Sequence, residues 1–451
     1  MTKNKRQALI KLGANKLADT LIELSSYSNE VNETIERLTA SPEECAKIFT
    51  RKLTSLKRSK RIIWERASFD FALELERLLK NLETGIKNPL TGVKLVAKFF
   101  EADEYIFNRC DDSSGAVGDV FTIAAVDLFS QYASQFPDKD KDKLEKIVLK
   151  LFNKDNYGVR AALFDNAAKY LPEINIRSLI NYLQKKADQE TDDCDKRHYL
   201  YPIESLTKQI GDANLFEKTR IQNWGDLKIP GTIELAQIHF TNGEFEKALN
   251  LLKNIPTDVD FMKLEKNELL KEIFTKQGNK AELKELLYKI LRNSHQIDNL
   301  DQYLKLIGND KREQVINDEI KVIMNTLSLN YSDIEFLLET DKLDEAEEYI
   351  IKWSNHLDGS FYHILIPLAK EMESQNRYLA ATILYRSLLI SILERAYNKA
   401  YSHAVKYLIK LDKLAPTIAD WKDKMSHKDF LDLLNTDHGR KSSFWKKYNQ
   451  K

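Results

Sequence analysis

The chain has 451 residues, 69 Lys+Arg against 69 Asp+Glu, and 43% hydrophobic residues. These values exclude a disordered chain, a single small core and a strong overall field that steers the protein to nucleic acid or membrane. Any such binding must come from a local patch of charge. The 14 Gly and 9 Pro are too few for sheets joined by tight turns, so the composition predicts an all-α fold.

The cysteines and the known site motifs narrow the function further. Cys45, Cys110 and Cys194 lie far apart without a CxxC pair, which indicates a reducing cytoplasm and no disulfide framework. No apolar run reaches the length of a membrane span, and no apolar h-region follows the basic N-terminus, so we expect neither a membrane span nor a signal peptide. The eight histidines are scattered, and the sequence has no P-loop, dinucleotide fingerprint, HExxH or GxSxG. We therefore expect no metal or cofactor and favour a protein that is not an enzyme.

The N-terminal part combines apolar helical spacing with a basic segment. Leucines at three- to four-residue intervals predict one or two helices over residues 7–38. Ser41 is the predicted N-cap of the next helix, with Glu44 completing a capping box. A basic stripe beside an aromatic residue is typical of a surface that contacts phosphates and stacks a base. The alternative is a solvated helix end, where cations suit the helix dipole. The candidate residues are Lys57, Arg58, Lys60, Arg61 and Trp64.

The stretch 107–121 differs in composition from the surrounding helices. Two adjacent carboxylates, two Ser and two Gly lie between apolar runs, so a cation or nucleotide could bind here. Arg109 beside the thiol also suggests a lowered Cys110 pKa, although no local base accompanies it. In this binding interpretation Asp119 starts the next helix. Alternatively the loop is a helix junction, with Asp and Ser as caps, Gly at the turn and Arg109 paired with an Asp. The candidate residues are Arg109, Cys110, Asp111, Asp112, Ser113 and Asp119.

A repeated pattern begins near residue 230. Short polar turns separate helical runs, and small residues follow each turn. Gly243 and Gly278 are 35 residues apart, as are Asp341 and Asn376. This spacing predicts tetratricopeptide-like helix pairs. We expect an α-solenoid of antiparallel helix pairs, with an N-terminal helical region over 1–215 and the repeats over 216–451.

The C-terminal tail is a second basic and aromatic segment. Its cations and Trp could bind phosphate or a nucleic-acid strand. Alternatively its aromatic residues cover the end of the last repeat while the cations only solubilise it. The candidate residues are His438, Arg440, Lys441 and Trp445.

Three segments together resemble a large bacterial family of helical-repeat proteins of unknown function. They are the loop with its RCDDSSG-VGDVF pattern, the pattern from Ala400 to Leu411, and the tail with HGRK and FW. The resemblance spans nearly the whole chain and implies a soluble bacterial helical protein without an assigned reaction. A similar tail closes the helical region of some bacterial proteins with a SWIM-type zinc finger. The Cys/His zinc pattern is missing here, so the metal does not carry over.

Helical solenoids commonly bind proteins along extended surfaces. The sequence therefore favours a non-enzymatic scaffold for a protein partner. Two alternatives stay open: an accessory nucleic-acid-binding protein that uses the basic segments, and an enzyme, nucleotide binder or metal binder centred on residues 109–119.

Overall fold

The computed structural model describes residues 2–28, 31–32, 34–35, 39–256 and 259–450. In this part of the chain the residues form helices that pack as adjacent pairs, and the only strand-like pairing is an isolated bridge between Ile63 and Cys110. The predicted all-α fold of helix pairs is thus confirmed. Two compact units are present, Met1–Lys266 and Asn267–Lys451. The predicted division near residue 215 into a helical region and a repeat region stays a prediction.

Helices α1 to α15 begin in the first unit, and α15 contains the division between the two units. Their bounds are α1 Thr2–Leu12, α2 Ala14–Ser25, α3 Pro42–Arg58, α4 Glu65–Gly85, α5 Pro89–Phe100, α6 Asp103–Phe107, α7 Ala116–Asp119, α8 Val126–Ser134, α9 Lys141–Phe152, α10 Glu173–Ala187, α11 Asp193–Gln209, α12 Ala213–Trp224, α13 Lys228–Thr241, α14 Phe245–Lys253 and α15 Lys263–Gln277. A π-helical turn, Val120–Ala125, joins α7 to α8, and a 3-10 helix spans Ala161–Lys169.

The second unit continues with helices α16 to α25. Their bounds are α16 Lys280–Asn293, α17 Ile297–Ile307, α18 Arg312–Met324, α19 Tyr331–Glu339, α20 Leu343–Lys352, α21 Tyr362–Ser374, α22 Tyr378–Glu394, α23 Tyr401–Leu414, α24 His427–His438 and α25 Ser442–Asn449. No helix formed by the described residues combines the length and the apolar character needed to cross a membrane.

One predicted helical region and one predicted helix start near the N-terminus can be compared with the structure. The leucine-rich region 7–38 forms α1 and α2, which are separated at Gly13, while residues 29–30, 33 and 36–38 lie outside the described residues. Helix α3 has the predicted capping box. The Glu44 N–H donates to Ser41 Oγ (3.3 Å), and the Ser41 N–H donates to Glu44 Oε2 (2.7 Å). These two bonds confirm the capping box. It forms because the two side chains accept from backbone N–H groups that have no acceptor within the first helical turn.

The four predicted repeat turns share one backbone conformation. Gly243, Gly278, Asp341 and Asn376 have φ values of +78°, +66°, +58° and +61°. In each turn, the next N–H bonds to a carbonyl five residues earlier, which is the Schellman ending of a helix. These bonds join Glu244 N to His239 O, Asn279 N to Phe274 O, Lys342 N to Leu337 O and Arg377 N to Met372 O, at 2.8–2.9 Å.

Close helix packing follows three of these turns. An alanine five residues after the turn is fully buried in each case, which lets the two helices of the pair approach. These residues are Ala248, Ala346 and Ala381. The repeats are therefore helix pairs with a common turn, and their assignment to the tetratricopeptide class stays a prediction.

A buried charged cluster ties helices of the second unit together. His295 is 4% exposed, with Nδ1 2.7 Å from Asp333 Oδ1 and Nε2 3.2 Å from Glu319 Oε2. Arg292 donates two further hydrogen bonds to Glu319, at 3.0 and 2.9 Å. Burial lowers the pKa of His295, but the hydrogen bonds from its two carboxylate partners outweigh burial and raise the pKa to about 9. The imidazole is therefore a cation that neutralises buried carboxylates.

Candidate functional site

Aromatic packing in the first unit brings the two ends of the polar loop together. Phe107 precedes the loop and Phe121 follows it, and their ring centroids lie 5.5 Å apart. Phe121 is fully buried and stacks on Phe99 of α5 at 4.7 Å. Because the core fixes both ends, residues 108–115 form a closed loop that leads into α7, whose Val117 is again fully buried.

Arg109 reaches from this loop to the basic segment that follows α3. Its Nη1 donates to the Arg61 carbonyl (3.0 Å), and its Nη2 lies 3.4 Å from the Leu56 carbonyl. The guanidinium also lies 5.2 Å from the ring centroid of Phe71, and burial lowers the pKa of Arg109. The predicted pairing of Arg109 with an Asp is wrong, because the guanidinium donates to backbone carbonyls instead of a carboxylate. We call residues 59–64 the clamped segment.

A short parallel bridge completes this clamp. The Ile63 N–H donates to the Arg109 carbonyl, and the Asp111 N–H donates to the Ile63 carbonyl, both at 2.8 Å. Side chains alternate along an extended segment. Ile63 is accordingly buried at 4% exposure, whereas Ile62 and Trp64 are 59% and 68% exposed. By fixing the backbone at Ile63, the loop keeps the large apolar side chains of Ile62 and Trp64 exposed to solvent.

Asp112 caps the helix that leaves the loop. Its Oδ1 accepts from the Val117 N–H (2.9 Å) and its Oδ2 from the Gly118 N–H (2.7 Å). Helix α7 therefore begins at Ala116, and the predicted start at Asp119 is wrong by one turn. The reason is that a cap can act across several residues when a tight turn brings its carboxylate to the free N–H groups. The side chain of Asp119 is exposed.

The remaining loop residues have local partners. Asp111 Oδ1 accepts from the Ser113 hydroxyl (2.5 Å) and lies 3.3 Å from the Ser113 N–H. Burial raises the pKa of the Cys110 thiol, and the charge of Asp112 raises it further, whereas Arg109 lowers it. The suggested lowering of the Cys110 pKa is therefore wrong, because desolvation outweighs the neighbouring cation. Within the described residues, no group of three or more His, Cys, Asp or Glu is placed to hold a metal ion.

A basic groove lies beside the clamped segment, between α3 and α5. It has a volume of about 730 Å³. Arg51 and Arg58 belong to the basic run that the sequence indicates over residues 51–66, whereas sequence reasoning missed two other lining cations, Lys47 and, from α5, Lys98. Lys47 and Arg51 are four residues apart and so share a helix face, which was a usable signal, whereas Lys98 is brought in by the tertiary structure. The lining residues are Ala46, Lys47, Thr50, Arg51, Thr54, Ser55, Arg58, Leu95 and Lys98.

The other predicted basic residues lie outside this lining. Lys60 and Arg61 are exposed on the clamped segment. Lys57 turns toward α6, where its Nζ lies 5.5 Å from the ring centroid of Tyr105. Burial lowers the pKa of Lys57, and the charge of Glu101 opposes this effect by raising it. Tyr105 is 52% exposed, and sequence reasoning missed it.

The C-terminal tail belongs to the second unit. Phe444 is fully buried there, and Trp445 donates its Nε1–H to the His438 carbonyl (3.0 Å). Burial lowers the pKa of His438, and the charge of Lys441 adds to this effect. Arg440 is exposed. The tail aromatics thus lie against the end of the unit, an arrangement that favours a packing role for them.

Comparisons with known proteins add a family but no activity. No curated protein matches the chain. A solved structure described as a "circular tandem repeat protein with novel repeat topology and enhanced subunit contact surfaces" is 13% identical, over 94% of this chain and 90% of that chain. Its TM-score of 0.14 carries no argument about the fold. The model of a family of unknown function, DUF6880, matches residues 2–225 and again residues 226–447. The chain belongs to this family, with two successive copies of its repeat.

Proposed function

We propose that the protein is a non-enzymatic helical-repeat scaffold that binds a protein partner through the clamped segment. The observation that carries this proposal is the outward display of Ile62 and Trp64 on either side of buried Ile63. Burying a large apolar side chain contributes roughly 1.5–3 kcal/mol, so keeping two of them in water forgoes stability that a partner could recover.

The composition and rigidity of this surface suit a protein interface. Trp and Arg are enriched among residues that dominate binding energy, and Trp64 stands beside exposed Arg61 on this segment. Arg109 and the Ile63 bridge already hold the backbone in place. Binding would therefore lose little conformational entropy, which is the main benefit of a preorganised surface.

The loop chemistry supports a binding role over a catalytic one. Both oxygens of Asp112 accept backbone N–H groups, and Asp111 accepts from Ser113. The Cys110 thiol has a raised pKa, which disfavours the thiolate needed for attack. The cysteines are free thiols, in keeping with our further proposal of a reducing, cytoplasmic setting.

A capture experiment tests the proposal. Full-length wild-type protein, Trp64→Ala and Ile62→Ser are immobilised and exposed to lysate of the source organism, and captured proteins are then purified for affinity measurement. The matched control is Tyr201→Ala, which removes another exposed aromatic residue of the first unit (57% exposed). We expect a partner whose Kd rises about 30-fold or more with Trp64→Ala, the scale of an interface hot spot, and is unchanged in the control. Equal affinity for wild type and Trp64→Ala would refute the proposed surface.

A further inference from the structure

The groove between α3 and α5 has an unusual charge distribution. Its lining includes four cations and no acidic residue. Within the described residues, none of these cations takes part in an ion pair. Two acidic residues lie three positions from a lining cation. Glu44 accepts the Ser41 N–H at 2.7 Å in the capping box, and this bond, ahead of the charge of Lys47, lowers its pKa. Glu101 follows Lys98 and lies 3.8 Å from Lys150 Nζ. Four cations against these two carboxylates, which have other partners, leave the groove with a net positive charge.

The cations are arranged along a line. Lys47, Arg51 and Arg58 follow one another at intervals of four and seven residues, which places them on one face of α3. Eleven residues of helix span about 16 Å at 1.5 Å per residue. Lys98 adds a fourth cation from the facing helix α5. A single phosphate cannot contact cations spread over this distance, so the groove fits a ligand with several anionic groups.

The hydroxyl groups of the two lining threonines are bonded within α3. The Thr50 hydroxyl donates to the Ala46 carbonyl (2.8 Å), and the Thr54 hydroxyl donates to the Thr50 carbonyl (2.7 Å). Both protons are used within α3, so neither hydroxyl donates into the groove. Leu95 is 5% exposed and contributes an apolar surface to the lining. Such a site reads a chain of phosphates without reading sequence.

An exposed aromatic ring lies beside Lys57, the residue that precedes Arg58 at the C-terminal end of the groove lining. Tyr105 is carried by α6, which packs against α3. Helix α6 is anchored by the buried pair of Asp103 and Arg160, with Nε–Oδ2 and Nη2–Oδ1 distances of 2.7 and 2.6 Å. The Tyr105 ring is half exposed, and its neighbour Lys57 directly precedes the lining residue Arg58. Proteins that bind single strands combine a basic groove with aromatic rings that stack bases.

We propose that this groove binds the phosphodiester backbone of single-stranded nucleic acid and that Tyr105 stacks one base. The bases of a single strand are free to leave the backbone path and stack, whereas those of a duplex are already stacked on each other. This inference does not depend on the proposed protein partner, because the groove and the side chains of Ile62 and Trp64 are separate sets of residues.

Salt-dependent binding tests the groove. Binding of a labelled oligo-dT to the full-length protein is measured by fluorescence anisotropy between 50 and 200 mM KCl. Each phosphate contact contributes a slope of about −0.7 in log K against log salt for a single strand, so four contacts give about −2.8, an affinity loss of about 50-fold over this range. Arg51→Glu with Lys98→Glu should reduce the slope to about −1.4 and the loss to about sevenfold.

The control makes the same charge change elsewhere. Lys139→Glu with Lys146→Glu reverses two exposed cations of the first unit outside the groove and should keep the wild-type slope. Tyr105→Ala should weaken binding at least about fivefold, and Tyr105→Phe, which keeps the ring, should not. Circular dichroism establishes that each variant is folded.

Several results would overturn the inference. They are no binding by the wild type at 50 mM KCl, equal weakening by the groove variant and its control, equal affinity for duplex, or displacement of the oligonucleotide by polyglutamate at the same charge concentration. Trp64→Ala separates the two proposals, because it should remove the protein partner and leave oligo-dT binding unchanged. Loss of oligo-dT binding in Trp64→Ala would overturn the assignment of the strand to the groove.

Discussion

Asp111 and Asp112 are adjacent carboxylates with different structural roles, so their variants should differ in stability. Asp112 accepts two backbone N–H groups at the start of α7, at 2.9 and 2.7 Å, and one of these belongs to fully buried Val117. Losing a cap costs about 0.5–2 kcal/mol, and leaving a buried donor without a partner costs about 1–3 kcal/mol. We therefore expect Asp112→Ala to lower the free energy of unfolding of the first unit by about 2–4 kcal/mol.

Asp111→Ala is the matched control. The exposed Asp111 carboxylate accepts only from Ser113 within the same turn, so its loss should cost about 0.5 kcal/mol or less. Asp112→Asn keeps one carbonyl acceptor and should give an intermediate loss. These three variants therefore rank by the number of backbone donors at the start of α7 that are left without an acceptor.

The assay must report on the loop itself, because a chain with two compact units does not guarantee a two-state transition. Hydrogen exchange followed by mass spectrometry on peptides covering residues 112–122 measures opening of α7 directly. A decrease of about 2–4 kcal/mol in the free energy of opening corresponds to about 30- to 900-fold faster exchange when the exchange rate is proportional to the population of the open state. Unchanged exchange in Asp112→Ala, or an equal effect of Asp111→Ala, would refute the capping argument.

Two further predictions concern other parts of the fold. The pKa of His295 is raised from 6.5 to about 9, so the stability it contributes is complete below about pH 6.5 and is lost as the pH rises through about 9. We expect the free energy of unfolding of the second unit to fall by about 3 kcal/mol between pH 6.5 and pH 9, as measured by urea unfolding followed by hydrogen exchange. His295→Gln should remove this pH dependence. At Gly92, an added Cβ would lie 2.5 Å from the buried ring of Tyr132. Gly92→Ala should therefore destabilise the first unit by about 1–3 kcal/mol in thermal melts despite the better helix propensity of Ala, and a rise in Tm would contradict this.

The sequence predicted features that depend on neighbouring residues. The capping box of Ser41 and Glu44 and the turns at Gly243 and Asp341 involve contacts within about one helical turn, so residue type and spacing were sufficient. The start of α7 was misplaced because the carboxylate of Asp112 reaches its N–H partners across a loop whose path the sequence does not specify.

The candidate surfaces required the tertiary structure. Arg109 was identified from the sequence, but its acceptor at Arg61 lies 48 positions away, and no local pattern indicates that pairing. The groove likewise needs Lys98 opposite α3, because only the packing of α3 and α5 places cations on both sides.

The sequence by itself thus determined an all-α chain of helix pairs and the residue types of its polar loop and basic segment. Short-range hydrogen bonding and helical spacing carry that information. Only the tertiary structure decided that the loop clamps the segment and that Ile62 and Trp64 face water while Ile63 is buried. That outcome depends on which distant backbone groups meet, and their meeting is set by packing of the whole first unit.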